Sequence, residues 1–277
     1  CYLSDQLSRN WFGLAYRANG NDLLSQINQK IDCLPAAQWS QVLKNHLAFT
    51  DMPEQRVAPL VLQFDALYFY RAWDDEQRIA RYIRQQAKSI AEMPFSNEQI
   101  QQQLARYFPA SDDIDWQKIA VATAIKAPFC VITGGPGTGK TTTVTRLLLV
   151  LQALYQHKLH IKLAAPTGKA AARMTESLQN ALAFIEQQQP LSKELLAAMP
   201  KTAETIHRLL GVRPLSDDTR YHAQNPLPID LLGVDETSMI DLPMMAKLLS
   251  ALKPNTRLIL LGDQDQLSSV EAGAVLG

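Results

Sequence analysis

The chain has 277 residues, enough for about two domains. Lys plus Arg and Asp plus Glu number 27 each, so the formal net charge is zero, with 47% hydrophobic and 19% charged residues. This excludes a disordered chain and a polycationic nucleic-acid coat, and no apolar run approaches the ~18 residues of a membrane span.

The three cysteines, Cys1, Cys33 and Cys130, are far apart and form no C-x-x-C pair. They make neither a disulfide framework nor a zinc site, which fits a reducing cytoplasm. Cys130 reads as a small buried hydrophobe. The chain begins at Cys1 without a Met or a signal peptide, and it stops at Gly277 inside a continuing pattern. It therefore reads as a piece of a longer protein.

Residues 1–110 carry no chemical motif. Val61–Phe64 and Leu67–Tyr70 are β-prone runs around Asp65-Ala66, which predicts a hairpin. Asp74-Asp75-Glu76 opens an expected helix through Lys88, with Ile79, Tyr82 and Ile83 on one face. Ser96 with Gln99 three residues on is a capping-box signal for a helix through about Tyr107. The segment 109–113, Pro-Ala-Ser-Asp-Asp, reads as a linker. The expectation is a small, mainly helical interaction domain with a β-hairpin over 1–110.

From 111 to 277 the rhythm changes. Apolar runs Phe129–Thr133, Ile161–Ala165, Asp230–Val234 and Arg257–Leu261 alternate with helical stretches. This predicts an α/β domain on a parallel sheet, whose strand ends converge on one ligand-binding edge. No acidic residue lies between Asp115 and Glu176, while Lys118, Lys126, Lys140, Arg146, Lys158, Lys162, Lys169 and Arg173 do. That segment suits a polyanion or a solvated face.

Each run ends in a motif. Gly134-Gly135-Pro136-Gly137-Thr138-Gly139-Lys140-Thr141 is a complete G-x-x-x-x-G-K-[ST] loop between a strand and the helical run that starts with Thr142. Its glycines let backbone N–H groups wrap phosphates, Lys140 is placed for the β- and γ-phosphates, and the Thr141 hydroxyl for Mg²⁺. Asp235 closes the third run as a candidate Mg²⁺ ligand, and Glu236 is a candidate general base. Gly262-Asp263-Gln264-Asp265-Gln266 follows the fourth run, where the Gln266 amide suits a γ-phosphate sensor. Thr167, Gly168 and Lys169 after the second run suit a phosphate backbone, or else a helix cap with a solvated lysine. Thr205 and His207 are a similar, weaker pair. Gln117 can pair with adenine through its amide.

Together these residues resemble a superfamily 1 helicase. The stretches GGPGTGKTTT, AAPTGKAAARMTESL, TIHRLLG, VDETSMIDLPMM and LGDQDQLSSVEAGAVLG are similar to the RecD family, the alpha subunits of exodeoxyribonuclease V. The resemblance implies a RecA-like motor domain over 111–277 with motifs Q (Gln117), I (134–141), Ia (167–171), II (Asp235-Glu236) and III (262–266). It further implies ATP and Mg²⁺ as cofactors, 5′-to-3′ movement on single-stranded DNA, and assembly with RecB and RecC subunits in double-strand-break repair. Gly233 stands where this family more often has Val or Ile. A second motor domain, with its arginines, does not follow within the 277 residues, so this chain alone is expected to be an incomplete motor. The alternatives are a P-loop ATPase of another class and an ATP-binding subunit without motor activity.

Overall fold

The structure is a computed structural model that describes residues 13–15, 46–63, 66–88, 94–108, 113–135, 137–213 and 218–263. Four short strands come first. They are β1 (Gly13–Ala15), β2 (Phe49–Thr50), β3 (Leu60–Gln63) and β4 (Ala66–Phe69), in the order β1-β4-β3-β2. The expected hairpin is present: β3 and β4 run antiparallel with Gln63 opposite Ala66. The pairing places Ala66 in the strand rather than in the turn. Two strands, β1 and β2, were not foreseen in a segment expected to be mainly helical.

Helix α1 (Tyr70–Lys88) starts four residues ahead of the acidic cluster that was expected to open it. Its inner face holds Trp73, Ile79 and Gln86, whereas Ile83 is exposed. The Trp73 indole donates to Gln63 Oε1 at 2.9 Å and ties α1 to the hairpin. Helix α2 (Asn97–Tyr107) has the complete capping box: Ser96 accepts from Gln99 N at 3.2 Å, and Gln99 Oε1 accepts from Ser96 N at 2.9 Å. Most of the expected linker, 109–112, lies outside the described residues.

The second sheet is wholly parallel. It contains β5 (Phe129–Thr133), β6 (Ile161–Ala165), β7 (Ala203–Thr205), β8 (Leu231–Val234) and β9 (Arg257–Gly262), in the order β5-β9-β8-β6-β7. The four expected strands are all there, and β7 is an addition at the edge. The connecting helices are α3 (Trp116–Lys126, before β5), α4 (Lys140–Leu154), α5 (Gly168–Gln188), α6 (Lys193–Ala198), α7 (Ile206–Leu210) and α8 (Leu242–Ser250).

Alternation along the strands feeds two cores, as a sheet covered on both faces requires. Leu163, Leu231, Ile259 and Leu261 face one core with α2, α3, α4 and α5. Ala164, Leu232, Leu258 and Leu260 face the other with α7, α8 and Ile79 of α1. Helices from before residue 110 thus enter both cores, so the expected division at 110 does not fall between separate cores. Arg257 fastens the base of the sheet: its Nη1 donates to Ala124 O, Ile125 O and Ala127 O at 2.6–2.9 Å, capping the end of α3. Cys130 is half-buried against the first core, and burial pushes its thiol pKa up. No helix among the described residues is long and apolar enough to cross a membrane.

Candidate functional site

Because every strand of the second sheet runs the same way, the residues after β5, β6, β7, β8 and β9 share one edge. The loop 134–139 leaves β5 there. Gly134 N donates to Gly262 O at 3.3 Å, so the start of the loop is pinned to the end of β9. A Cβ on Gly134 would lie 2.8 Å from Thr138 Oγ1, so a side chain there would displace the Thr138 hydroxyl from its bond to Gly135 O. Gly137 and Gly139 take left-handed φ of 77° and 81°, a conformation that costs a side-chain-bearing residue about 1–2 kcal/mol. Pro136 lies outside the described residues. Gly139 is also the N-cap of α4 and offers no side chain to the first N–H groups of that helix. Those donors and the helix dipole face outward, as anion binding requires.

Lys140 is the first residue of α4. Its ammonium folds back onto the loop, donating to Gly135 O at 3.1 Å and to Gly134 O. These carbonyls hold the charge over the concave face of the loop. Thr141 and Thr142 follow, half-buried, and line the same cleft.

Two strands away, Asp235 N donates to Ala164 O at 2.9 Å, which sets Asp235 just beyond the end of β8. Its Oδ1 accepts from Glu236 N at 2.9 Å, and Glu236 takes left-handed φ 52°. The turn is tied to the neighbouring strand by Thr237, whose buried hydroxyl donates to Leu261 O at 2.7 Å. Burial pushes the Asp235 carboxyl pKa up, while the Glu236 N–H and the Lys140 charge pull it down. Glu236 is raised by burial and by the Asp235 charge beside it. Lys140 and Arg173 act against that rise, and Asp263 adds to it. Lys140 thus acts on both carboxylates. Gln266 lies outside the described residues, although Asp263, just after β9, is buried.

The second pair of motifs is also brought together. β6 and β7 are neighbours with Ala165 opposite Thr205, so the segments after them lie side by side. Thr167 is the N-cap of α5, its hydroxyl accepting from Ala170 N at 3.2 Å. Thr205 caps α7 in the same way, accepting from Arg208 N at 3.2 Å. Gly168, Lys169 and His207 are exposed. Gln117 sits against the loop. Its Nε2 donates to Thr138 O at 3.4 Å, and its Oε1 accepts from Arg146 Nη1 at 3.3 Å.

The basic segment is not one continuous track. The Arg146 guanidinium packs over the Phe108 ring at 4.9 Å, and Lys162 pairs with Glu204 at 3.0 Å. Among the described residues no group of three or more His, Cys, Asp or Glu could hold a metal ion.

A family model described as an AAA domain matches residues 117–272, from the glutamine beside the loop to beyond the last strand. The chain belongs to the AAA-domain family. Over 276 residues the chain is 59% identical to "RecBCD enzyme subunit RecD" of Haemophilus influenzae, covering 99% of this chain and 43% of that protein. The subunit of the same name from Mycolicibacterium smegmatis is 45% identical over 76% of this chain and 37% of its own length. An "ATP-dependent RecD2 DNA helicase" of Deinococcus radiodurans is 40% identical over 53% of this chain and 17% of its own length. The chain spans about two fifths of the length of the RecD relatives it matches.

The AAA domain has one wall that motif reading missed. The cleft at the loop, about 440 Å³, is closed opposite Gly135–Thr142 by Ser177, Asn180, Ala181 and Phe184 of α5. Their spacing of three, four and seven is one face of a helix. That periodicity was in the sequence, but nothing in it said which face would meet the loop.

Proposed function

We propose that this chain is the nucleotide-handling part of an ATP-dependent DNA helicase subunit of the RecBCD type. The observation that carries the reading is the convergence of a complete phosphate loop and the Asp235-Glu236 pair on one sheet edge, with Lys140 acting electrostatically on both carboxylates. In this reading the N–H groups of Gly135, Gly137 and Gly139 and of the α4 N-terminus, with Thr142, wrap the phosphates, while Gly134 and Thr138 N–H groups hold the loop in shape. Lys140 exchanges the two glycine carbonyls for β- and γ-phosphate oxygens. That exchange costs little, because one set of oxygen acceptors replaces another.

The Thr141 hydroxyl and the Asp235 carboxylate are hard oxygen donors that fit Mg²⁺, and one oxygen of Asp235 is left for it by the bond to Glu236 N. When bound, the ion neutralises charge that develops on the transferring phosphoryl group. Glu236 accepts the proton of the attacking water, and its raised pKa moves it toward the working range of a general base. Gln266 reports on the γ-phosphate and Gln117 contacts adenine. Gly168, Lys169 and His207, beside the capped Thr167 and Thr205, meet the backbone of single-stranded DNA.

RecB and RecC subunits are the proposed partners, the cytoplasm the proposed compartment, and 5′-to-3′ the proposed direction. The test is the ATPase rate of the full-length protein with and without single-stranded DNA. Strong stimulation supports the reading, and a rate indifferent to DNA points to an ATP-binding subunit that is not a motor.

A further inference from the structure

The Gln117 amide stands between two partners of opposite kind. Its Nε2 donates to Thr138 O in the phosphate loop at 3.4 Å, and its Oε1 accepts from Arg146 Nη1 at 3.3 Å. Turned end for end, the carboxamide would keep its shape but set oxygen against oxygen and N–H against N–H, so the two partners fix its sense. Thr138 is itself held, because its N–H and its hydroxyl both donate to Gly135 O. The amide also packs close to the loop: its Nε2 lies 2.6 Å from where a Cβ on Gly139 would be.

Arg146 is the partner whose place needs a reason. It is half-buried in α4, its Nε is buried without a hydrogen bond, and among the described residues it has no carboxylate partner. Such a cation costs stability rather than adding to it. What steadies it is Phe108, only 1% exposed, whose ring carries the guanidinium at 4.9 Å. A planar guanidinium seated on a fixed ring is a donor of fixed direction.

The bonding capacity left on the amide is specific. Oε1 keeps one lone pair and Nε2 keeps one N–H. Adenine presents the matching pair, an N6–H donor beside the N7 acceptor, whereas guanine presents two acceptors, O6 and N7. An amide oxygen facing O6 rejects guanine only while it can neither turn nor swing away. Resting on the assignment of Gln117 to the base, we infer that Arg146 is the positioning residue that locks the Gln117 amide and so sets a preference for adenine over guanine. In this role it acts through Gln117 and touches neither base nor phosphates.

The experiment measures the affinity of the full-length protein for ATP, GTP and inorganic tripolyphosphate. Arg146→Met keeps an apolar stem and removes the donor. It lowers the ATP-to-GTP affinity ratio about ten-fold, the scale of one misplaced amide–base pairing, and leaves tripolyphosphate affinity in place. Gln117→Ala lowers the ratio by as much, and adding Arg146→Met to it lowers the ratio no further. Phe108→Leu removes the ring face and lowers the ratio part of the way, and it carries the test if Arg146→Met does not fold. An unchanged ratio in the variant tested, an equal loss of all three ligands, or additive losses in the double variant overturns the inference. If Gln117→Ala leaves the ratio unchanged, the assignment of Gln117 to the base fails, and this inference with it. Failure of the unmodified protein to bind any of the three ligands overturns the nucleotide reading itself.

Discussion

Asp235 Oδ1 accepts the backbone N–H of its neighbour Glu236 at 2.9 Å, and Glu236 sits at left-handed φ 52°. One carboxylate therefore shapes the turn that aims the other. The two side chains have separable duties despite being adjacent.

That separation gives the first prediction. Glu236→Gln keeps shape and turn, so nucleotide affinity is retained while hydrolysis falls by ~10²-fold or more, the usual scale for loss of a general base. Asp235→Ala loses both the proposed cation ligand and the acceptor for Glu236 N, so Mg²⁺-dependent nucleotide binding itself falls. Titration of nucleotide with and without Mg²⁺ checks both. Loss of binding in Glu236→Gln with an intact fold would reverse the two roles.

Gly233 is explained by its neighbour. A Cβ there would lie 2.7 Å from Leu163 Cδ2, and Leu163 is only 1% exposed. The Leu163 side chain fills the space that a larger residue would take. Gly233→Val is therefore overpacked by about 1–3 kcal/mol, and Leu163→Ala in the same chain recovers much of that loss. Denaturant melts of the two single variants and the double variant measure the coupling, and strict additivity would show that the two residues do not compete for space.

Thr167 and Lys169 sit two residues apart but separate cleanly. The Thr167 hydroxyl caps α5, so Thr167→Ala costs about 1 kcal/mol of stability whatever its effect on DNA. Lys169 is exposed, so Lys169→Ala leaves the melting temperature in place. It weakens single-stranded DNA binding across sequences and lowers the slope of log affinity against log salt by about one. An unchanged salt slope in Lys169→Ala would remove this residue from the DNA surface.

Gln152 is a fully buried amide in an otherwise apolar stretch of α4. Its Nε2 donates to Leu159 O at 2.9 Å and to Ala198 O at 2.8 Å, and its Oε1 accepts from Leu159 N at 3.3 Å. Gln152→Leu keeps the volume but strands three backbone groups, at a cost of about 2–4 kcal/mol. Thermal melting reads this as a clear fall in the transition, and an unchanged midpoint would mean that water takes over the three bonds.

Much of this was legible in the sequence because local chemistry dictated it. The loop 134–141 has the pattern, the preceding strand and the following helix that phosphate wrapping requires, and the Ser96–Gln99 box formed as read. The misses arise where tertiary packing decides. Ala203-Glu204-Thr205 has no strand pattern of its own; it pairs because β6 presents an open edge. Helix α1 begins at Tyr70 because Trp73 must reach Gln63 and the hairpin, so the acidic cluster falls inside the helix instead of at its start. Ile83 shares a helical face with Ile79 by spacing but lies beyond the groove that buries Ile79. The α5 wall of the cleft was invisible for a similar reason: Asn180 and Phe184 fall outside every quoted motif stretch, and only the path of α5 past the loop brings them to the cleft.

The most direct test is ATP turnover by the full-length protein carrying Lys140→Ala. Lys140 is the charge that the loop presents, and loss of such an electrostatic stabiliser commonly costs several kcal/mol in the transition state. The prediction is turnover reduced to background in the presence of Mg²⁺ and single-stranded DNA, with a far-ultraviolet spectrum and melting temperature like those of the unmodified protein. Near-normal hydrolysis in that variant would contradict the assignment of the 134–141 loop as the site of the reaction.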